Sequence, residues 1–246
     1  MPPLELTGER TLPDVPAENY WFRRHLIVYR WIAKQVVGKH VIDMACGEGY
    51  GTGVLAESAA TVTGVDANPD AFAHATAKYG GPRVKFVRDL VESFAEPADA
   101  IVFLQTIEHV ENPTAVLDHF GSQLNSGGAA FISTPNLLKL APPGAEKSDN
   151  PWHIKEYRAE EFRELCEQSF ASVEILGLFH ARKLRVHAWA LNLGWDRLHK
   201  RLGLTKWFYD RFTPAIDERD FRLAPDSLEE ALDFVAVCRE PRVGRS

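Results

Sequence analysis

The stretch His40–Leu55, "HVIDMACGEGYGTGVL", decides the fold. "HVIDMAC" is an apolar run that reads as a buried strand, "GEGYG" breaks it with Gly47, Gly49 and Gly51, and "TGVLAESA" reads as a helix. Glycines at a strand-to-helix turn let the backbone bend tightly and let a ligand approach with no Cβ in the way. Asp43 lies in the strand before the loop, and "ATVTGVDAN" forms a second strand closing on Asp66, 19 residues after Gly47. A carboxylate placed there can accept hydrogen bonds from both ribose hydroxyls of an adenosine ligand, so loop and acid form a nucleoside-binding pair. The spacing is G-x-G-x-G rather than the dinucleotide G-x-G-x-x-G, and Asp43 would repel a pyrophosphate while suiting a ligand that carries an ammonium group or a cation.

Working outward, the strand-then-helix alternation continues. A helix "DAFAHATAKYG" is followed by strands "VKFVRDL" and "ADAIVFL", a helix "PTAVLDHFGSQL", a strand "GAAFISTPN", a helix "AEEFRELCEQSF" and strands "SVEILGLFH" and "LDFVAVCRE". Upstream, "AENYWFRRHLIVYRWIAKQVVG" places Phe22, Leu26, Tyr29, Ile32 or Ala33, and Val36 at helical steps, with Gly38 as the C-cap. The expected fold is α/β: a Rossmann-like, seven-stranded, mostly parallel sheet with helices on both faces. We expect one domain over 1–246: an N-terminal helix covering the cofactor (16–38), the core (39–180), a helical insertion (181–224), and the last strand and tail (225–246). The insertion, Arg-rich and Trp-rich with Trp189, Trp195 and Trp207, reads as a cap completing the core, an acceptor lid or a homodimer contact, since aromatics and Arg favour interfaces.

The net charge of −6 and pI near 5.9 give no electrostatic footprint for a phosphate backbone, and no stretch concentrates Lys and Arg in the way nucleic-acid binders do. DNA is set aside on this ground, and RNA is disfavoured. The N-terminus lacks a basic segment followed by an apolar one, and nowhere do ~18 apolar residues run together, so a soluble, cytoplasmic protein without a membrane association is expected. Cys46, Cys166 and Cys238 form no C-x-x-C pair and read as buried free thiols.

With "VTGVDANPDAFAHA", "VKFVRDL" and "IVFLQTIEHV", the opening stretch resembles a class I S-adenosylmethionine-dependent methyltransferase over residues 17 to 180 plus the final strand. The resemblance implies that Asp43 with Ala45, Gly47 and Gly49 holds the methionine part. It implies that Asp66 holds the ribose, with Ala67 and Asn68 beside it, that Asp89 and Leu90 face the adenine, and that Gln105 lines the methionine side. Tyr20 and Arg24, with Trp21, lie on a helix that in similar enzymes crosses the cofactor mouth.

At the end of the fourth strand, Gln105-Thr106-Ile107-Glu108-His109 is similar to the E-x-x-E-H divalent-metal site of small-RNA 2′-O-methyltransferases and ubiquinone-pathway O-methyltransferases. Gln105 stands where that pattern has Glu, offering a carbonyl oxygen without charge. His153, in "DNPWHIKEYRAEEF", is the candidate for the later histidine. Glu108, His109 and His153, with or without Gln105, would make a mixed N/O set for Mg²⁺, Mn²⁺ or Zn²⁺. A histidine base without metal and a purely structural role stay open. His25, His40, His74 and His119 read as incidental, and Asn136 as an acceptor or metal-water contact.

By overall style the chain also resembles actinobacterial sugar O-methyltransferases, including the methylmannose polysaccharide type. The expected reaction is methylation of a hydroxyl on a sugar, oligosaccharide or other polar small metabolite, assisted by Mg²⁺ or Mn²⁺, with His109 or His153 receiving the proton. Three alternatives remain. They are a metal-free N-, C- or phenol-O-methyltransferase, a nucleotide-sugar or dinucleotide oxidoreductase, and a cofactor-binding protein without catalysis.

Overall fold

The computed structural model describes residues 11–142 and 144–242. After a short 3-10 turn at Pro16–Glu18, the chain runs α1 (Asn19–Ala33), β1 (His40–Met44), α2 (Tyr50–Leu55), β2 (Thr61–Val65), α3 (Pro69–Tyr79) and β3 (Val84–Val87). It continues through β4 (Ala98–Leu104), α4 (Pro113–Gln123), β5 (Leu124–Pro135), α5 (Leu137–Leu140), α6 (Ala159–Ser169) and β6 (Phe170–His180). Three helices follow, α7 (Arg182–Asn192), α8 (Trp195–Arg201) and α9 (Thr205–Phe212), before β7 (Phe221–Ala224) and β8 (Asp233–Pro241).

The strands form one sheet of order β3-β2-β1-β4-β5-β8-β6-β7. β1 to β5 are mutually parallel, β8 runs antiparallel between β5 and β6, and β7 pairs antiparallel with β6 at the edge. The sheet therefore has eight strands rather than seven, and its orientation is mixed. The extra strand lies inside the stretch read as purely helical: "FRLA" is too short and too mixed in polarity to announce itself, and it is defined only by pairing with Gly177–His180. The strand order reverses direction between β1 and β4, so a crevice opens at their carboxyl ends.

The two faces of the sheet carry separate cores. Phe120 from α4 and Phe162 and Cys166 from α6 pack on one face against Ile42, Phe103, Ile132 and Phe234. Val28, Tyr29 and Ile32 of α1 and Leu55 of α2 pack on the other against Val41, Val102, Phe131 and Val237, with Leu184 and Phe221 joining them. The three cysteines are free and buried. α1 stops at Ala33, short of the expected cap; Gly38, at φ +71°, instead closes the turn into β1. Among the described residues, no helix is long and apolar enough to cross a membrane.

One ion pair fixes α1 across the sheet. Arg24 donates from Nε and Nη2 to the two Asp233 oxygens at 2.7 and 2.5 Å, and from Nη2 to the Leu232 carbonyl at 3.0 Å. Both side chains are buried, so removing the guanidinium leaves Asp233 charged without a partner. Arg24→Ala should cost about 3–5 kcal/mol in urea unfolding. A loss under ~1 kcal/mol would show that α1 is held by its apolar face alone.

Candidate active site

The glycine loop leaves β1 through Ala45 at φ 55°, Gly47 at φ 56° and Gly49 at φ 93°, three left-handed residues within five positions. Left-handed backbone at a non-glycine such as Ala45 is costly and is held only where surrounding contacts demand it. A Cβ at Gly49 would meet the Ala75 Cβ at 2.7 Å, and one at Gly51 would run into the Tyr29 ring, so these two glycines let α2 settle against α3 and α1. The Asp66 carboxylate accepts from the Gly47 N–H at 2.8 Å and the Asn68 N–H at 2.9 Å, tying the loop to the end of β2. Asn68 caps α3 with its side-chain oxygen, while Ala67 is exposed beside it. After β3, Asp89 accepts from the Leu90 N–H at 2.8 Å, and Leu90 exposes an apolar side chain to solvent.

Asp43 lies beneath the loop. Its side chain is fully buried and accepts from Thr52 Oγ1 at 2.7 Å and the Tyr29 hydroxyl at 3.2 Å, so it couples β1 to α2 and α1. Burial pushes its pKa from 3.8 to about 7 against the pull of those two hydrogen bonds. Glu48, in the loop itself, is buried and accepts from His74, Lys78 and Tyr79 of α3, which gives His74 a structural role.

The cavity over the loop is lined by Thr11, His25, Tyr29, Ala45, Cys46, Gly47, Glu48, Tyr50, Leu104, Gln105 and Thr106. Gln105 ends β4 at φ 50°, the second strained non-glycine of the crevice, and its backbone and amide nitrogens both donate to Ser133 Oγ, at 3.1 and 2.9 Å. A 3-10 turn over Ile107–His109 then places Glu108 inward and His109 half-buried at the rim.

A second cavity shares Thr11, His25 and Gln105 with the first and adds Glu18, Trp21, Arg24, Glu108, His109, Asn150 and His153. Ligand atoms of Glu108, His109 and His153 all lie within 4.8 Å of one another. The loop carrying His153 is stitched onto this turn by the N–H groups of Ile154 and Lys155, which donate to the Glu108 carbonyl at 2.8 and 3.2 Å. His109 Nδ1 lies 3.0 Å from the Trp152 carbonyl, and His153 Nδ1 lies 2.6 Å from the Glu156 carboxylate, the outer contacts that orient imidazoles toward a cation. Glu156 is itself held by Ser148; burial opposes its ionisation, but the hydrogen bonds from Ser148 and His153 outweigh that and lower its pKa.

Glu108 accepts from Thr134 Oγ1 at 3.1 Å, and its pKa is pushed up to about 8 by burial, with like charge from Asp233 and Glu156 adding. Two imidazoles and a buried carboxylate suit a divalent cation: bonds of ~2.1 Å put ligand atoms about 3–4.2 Å apart, inside the 4.8 Å limit within which these atoms lie. Asn150 Nδ2, now 2.9 Å from His153 Nε2, must give way for that nitrogen to coordinate.

The structure places other sequence-selected residues elsewhere. Tyr20 donates or accepts at His180 Nε2, 2.8 Å away, and packs edge-on against Phe221, so it docks α1 on β6 and β7 and lines neither cavity. Arg24 lines the second cavity only, its guanidinium committed to Asp233. Asn136 is fully buried and lines neither cavity, with Nδ2 donating to the Leu228, Glu229 and Ala231 carbonyls and Oδ1 accepting from the Leu138 N–H, so its amide serves the packing of the 228–231 turn. His40 bonds to Glu96 and His119 to the Phe94 carbonyl, and neither lines the two cavities. His25, read as incidental, lines both cavities, and burial lowers its pKa to about 4, which keeps it neutral. Thr11, Glu18 and Thr106 were likewise unmarked in the sequence, since nothing in their local pattern separates a lining residue from a surface one.

A Rossmann-like sheet with a ligand crevice at its switch point defines a class, and residues 22–188 match the methyltransferase-domain family, to which the chain belongs. Two probable S-adenosylmethionine-dependent methyltransferases are similar to it. The one from Mycobacterium tuberculosis is 37% identical over 74% of this chain and 67% of its own length, and the one from Mycolicibacterium smegmatis 33% identical over 97% and 96%. A ubiquinone biosynthesis O-methyltransferase of Xylella fastidiosa is 33% identical over 47% of this chain and 52% of its own. A Thermotoga maritima structure, described as an S-adenosylmethionine-dependent methyltransferase and possible histamine N-methyltransferase, shares the fold with a TM-score of 0.60 at 14% identity, covering 92% of this chain and 96% of that one. The chain is thus an S-adenosylmethionine-dependent methyltransferase, and the dinucleotide oxidoreductase alternative falls away.

The buried Asp43 gives stability a pH dependence. Its folded pKa is raised, so its contribution is complete below 3.8 and is lost as pH rises through about 7. Between about pH 5 and pH 8.5 the Tm of the native chain should fall relative to that of Asp43→Asn. Parallel curves would contradict a neutral, buried Asp43.

Proposed function

We propose that the protein methylates a hydroxyl of a sugar, oligosaccharide or other polar small metabolite, with a divalent cation held by Glu108, His109 and His153. The observation that carries this reading is the convergence of those three ligand atoms within 4.8 Å, in a cavity that meets the glycine-loop cavity at Gln105. When bound, the cation would lower the cost of removing a hydroxyl proton, and S-adenosylmethionine brings a methyl already poised for displacement.

The chain's own residues then have separable tasks. Gly47, Gly49 and Asp66 hold the donor, and Gln105, locked by Ser133, stands between donor and acceptor. Glu156 and the Trp152 carbonyl fix the ring orientation of His153 and His109. With the cation bound both imidazoles are its ligands and the hydroxyl proton would pass to solvent at the rim, whereas without it His153, oriented by Glu156, would take up that proton. Trp21, half exposed at the wall, and the polar groups of Glu18 and Asn150 fit a flat polyhydroxylated acceptor better than an apolar one. The partial similarity to a ubiquinone biosynthesis O-methyltransferase supports oxygen as the acceptor atom. Among the described residues, none of α7–α9 lines the second cavity, so the acceptor is gripped by Glu18, Trp21, Leu140, Asn150 and His153 rather than by a lid at 181–224.

A metal-free reading is favoured by one contact, the 2.6 Å pairing of His153 with Glu156, which could orient a general base. Chelation separates the two. EDTA should abolish methyl transfer and added Mg²⁺ or Mn²⁺ should restore it, whereas turnover indifferent to EDTA would establish the metal-free alternative. His109→Ala and His153→Ala should lower turnover by about 10²-fold or more while S-adenosylhomocysteine binding, followed calorimetrically, stays unchanged. Loss of that binding would move the histidines to the donor side. Glu156→Gln should weaken the metal requirement's apparent affinity by about 10–100-fold.

A further inference from the structure

The helices α7 to α9 carry an unusual surface. Inward, His187, Trp195, His199, Phe208 and Phe212 pack on one another and close a small aromatic core. That core leaves a second set of large apolar side chains outside. Val186, Trp189 and Leu193 recur at steps of three and four along α7 and are all exposed, so the helix turns an apolar stripe toward solvent. Leu198 on α8 and Leu202 just after it are exposed too, and so is Trp207 on α9. Trp189 and Trp207 expose 63% and 57% of their surface, in a protein whose two cores are otherwise well filled.

The same segment is strongly cationic. Residues 182–211 hold eight Lys and Arg against two Asp, in a chain whose formal net charge is −6. Among the described residues, Arg182, Arg185, Arg197 and Arg201 pair with no carboxylate, and Arg211 lies over the Trp207 ring with its Cζ 4.5 Å from the centroid. Whole-chain charge hides this local excess.

Exposed Trp and Leu on amphipathic helices flanked by unpaired Arg are the composition of a segment that lies in a lipid–water interface. We propose that the outer face of α7–α9 docks on an anionic lipid surface without spanning it. A second copy of the chain is a poorer occupant, because a two-fold contact would press two cationic faces together. A nucleic acid would leave the Val186 and Leu stripes without use.

The test is flotation with vesicles of phosphatidylcholine containing about 30% phosphatidylglycerol, against phosphatidylcholine alone, in about 0.05 and 0.5 M salt. Binding should require phosphatidylglycerol and weaken with salt. The double variants Trp189→Ser with Trp207→Ser and Arg197→Glu with Arg201→Glu should each lower it at least about tenfold, with melting and S-adenosylhomocysteine binding unchanged. Absence of binding to every vesicle, or binding that both variants leave intact, would overturn the proposal. So would a dimer in sedimentation that Trp189→Ser dissociates while vesicles stay unbound, since the face would then belong to a second copy.

Discussion

The exit from β4 is the constraint around which the crevice is built. The strand is buried along almost its whole length, yet within five residues of its end the chain delivers Gln105 to the glycine-loop cavity and Glu108 and His109 to the second cavity. It does so by forcing Gln105 into left-handed backbone and locking that residue to Ser133 of the neighbouring strand. Two backbone hydrogen bonds to the Glu108 carbonyl then draw in the loop that carries His153. Strain at one residue and two inter-loop bonds thus bring together groups 43 or more positions apart in the chain.

A second consequence concerns electrostatics. Asp43 and Glu108 are buried carboxyls whose pKa values are pushed up to about 7 and about 8. They differ in what surrounds them. Asp43 has both oxygens occupied by hydroxyl donors from α1 and α2 and serves the packing of the glycine loop, whereas Glu108 faces two imidazoles across an open cavity. The first arrangement is complete within the protein; the second gains from an added cation, which would offset its desolvation.

Much of the fold was legible because the signal is local. Apolar runs such as "ADAIVFL" coincide with β4 to the residue, and the glycines mark the β1–α2 turn. What escaped depends on partners remote in sequence. β7 exists only through pairing with β6, and Tyr20, Arg24 and Asn136 are fixed by His180, Asp233 and the 228–231 turn, contacts that no spacing rule reveals. His25 carries no motif and is found only by the cavities it lines. The Trp- and Arg-rich character of residues 181–224 is legible in the sequence, but which of its apolar and cationic side chains share the outer face of α7–α9 follows only from the placed helices.

Glu108, His109 and His153 are proposed to form one divalent-cation site beside the glycine-loop cavity. Titration of the protein with Mn²⁺, following the free ion by electron paramagnetic resonance, tests it without any acceptor. One saturable site per chain is expected, which Glu108→Gln and His153→Ala remove while S-adenosylhomocysteine still binds. Mn²⁺ binding that is absent in the native chain, or that persists in both variants, would contradict it.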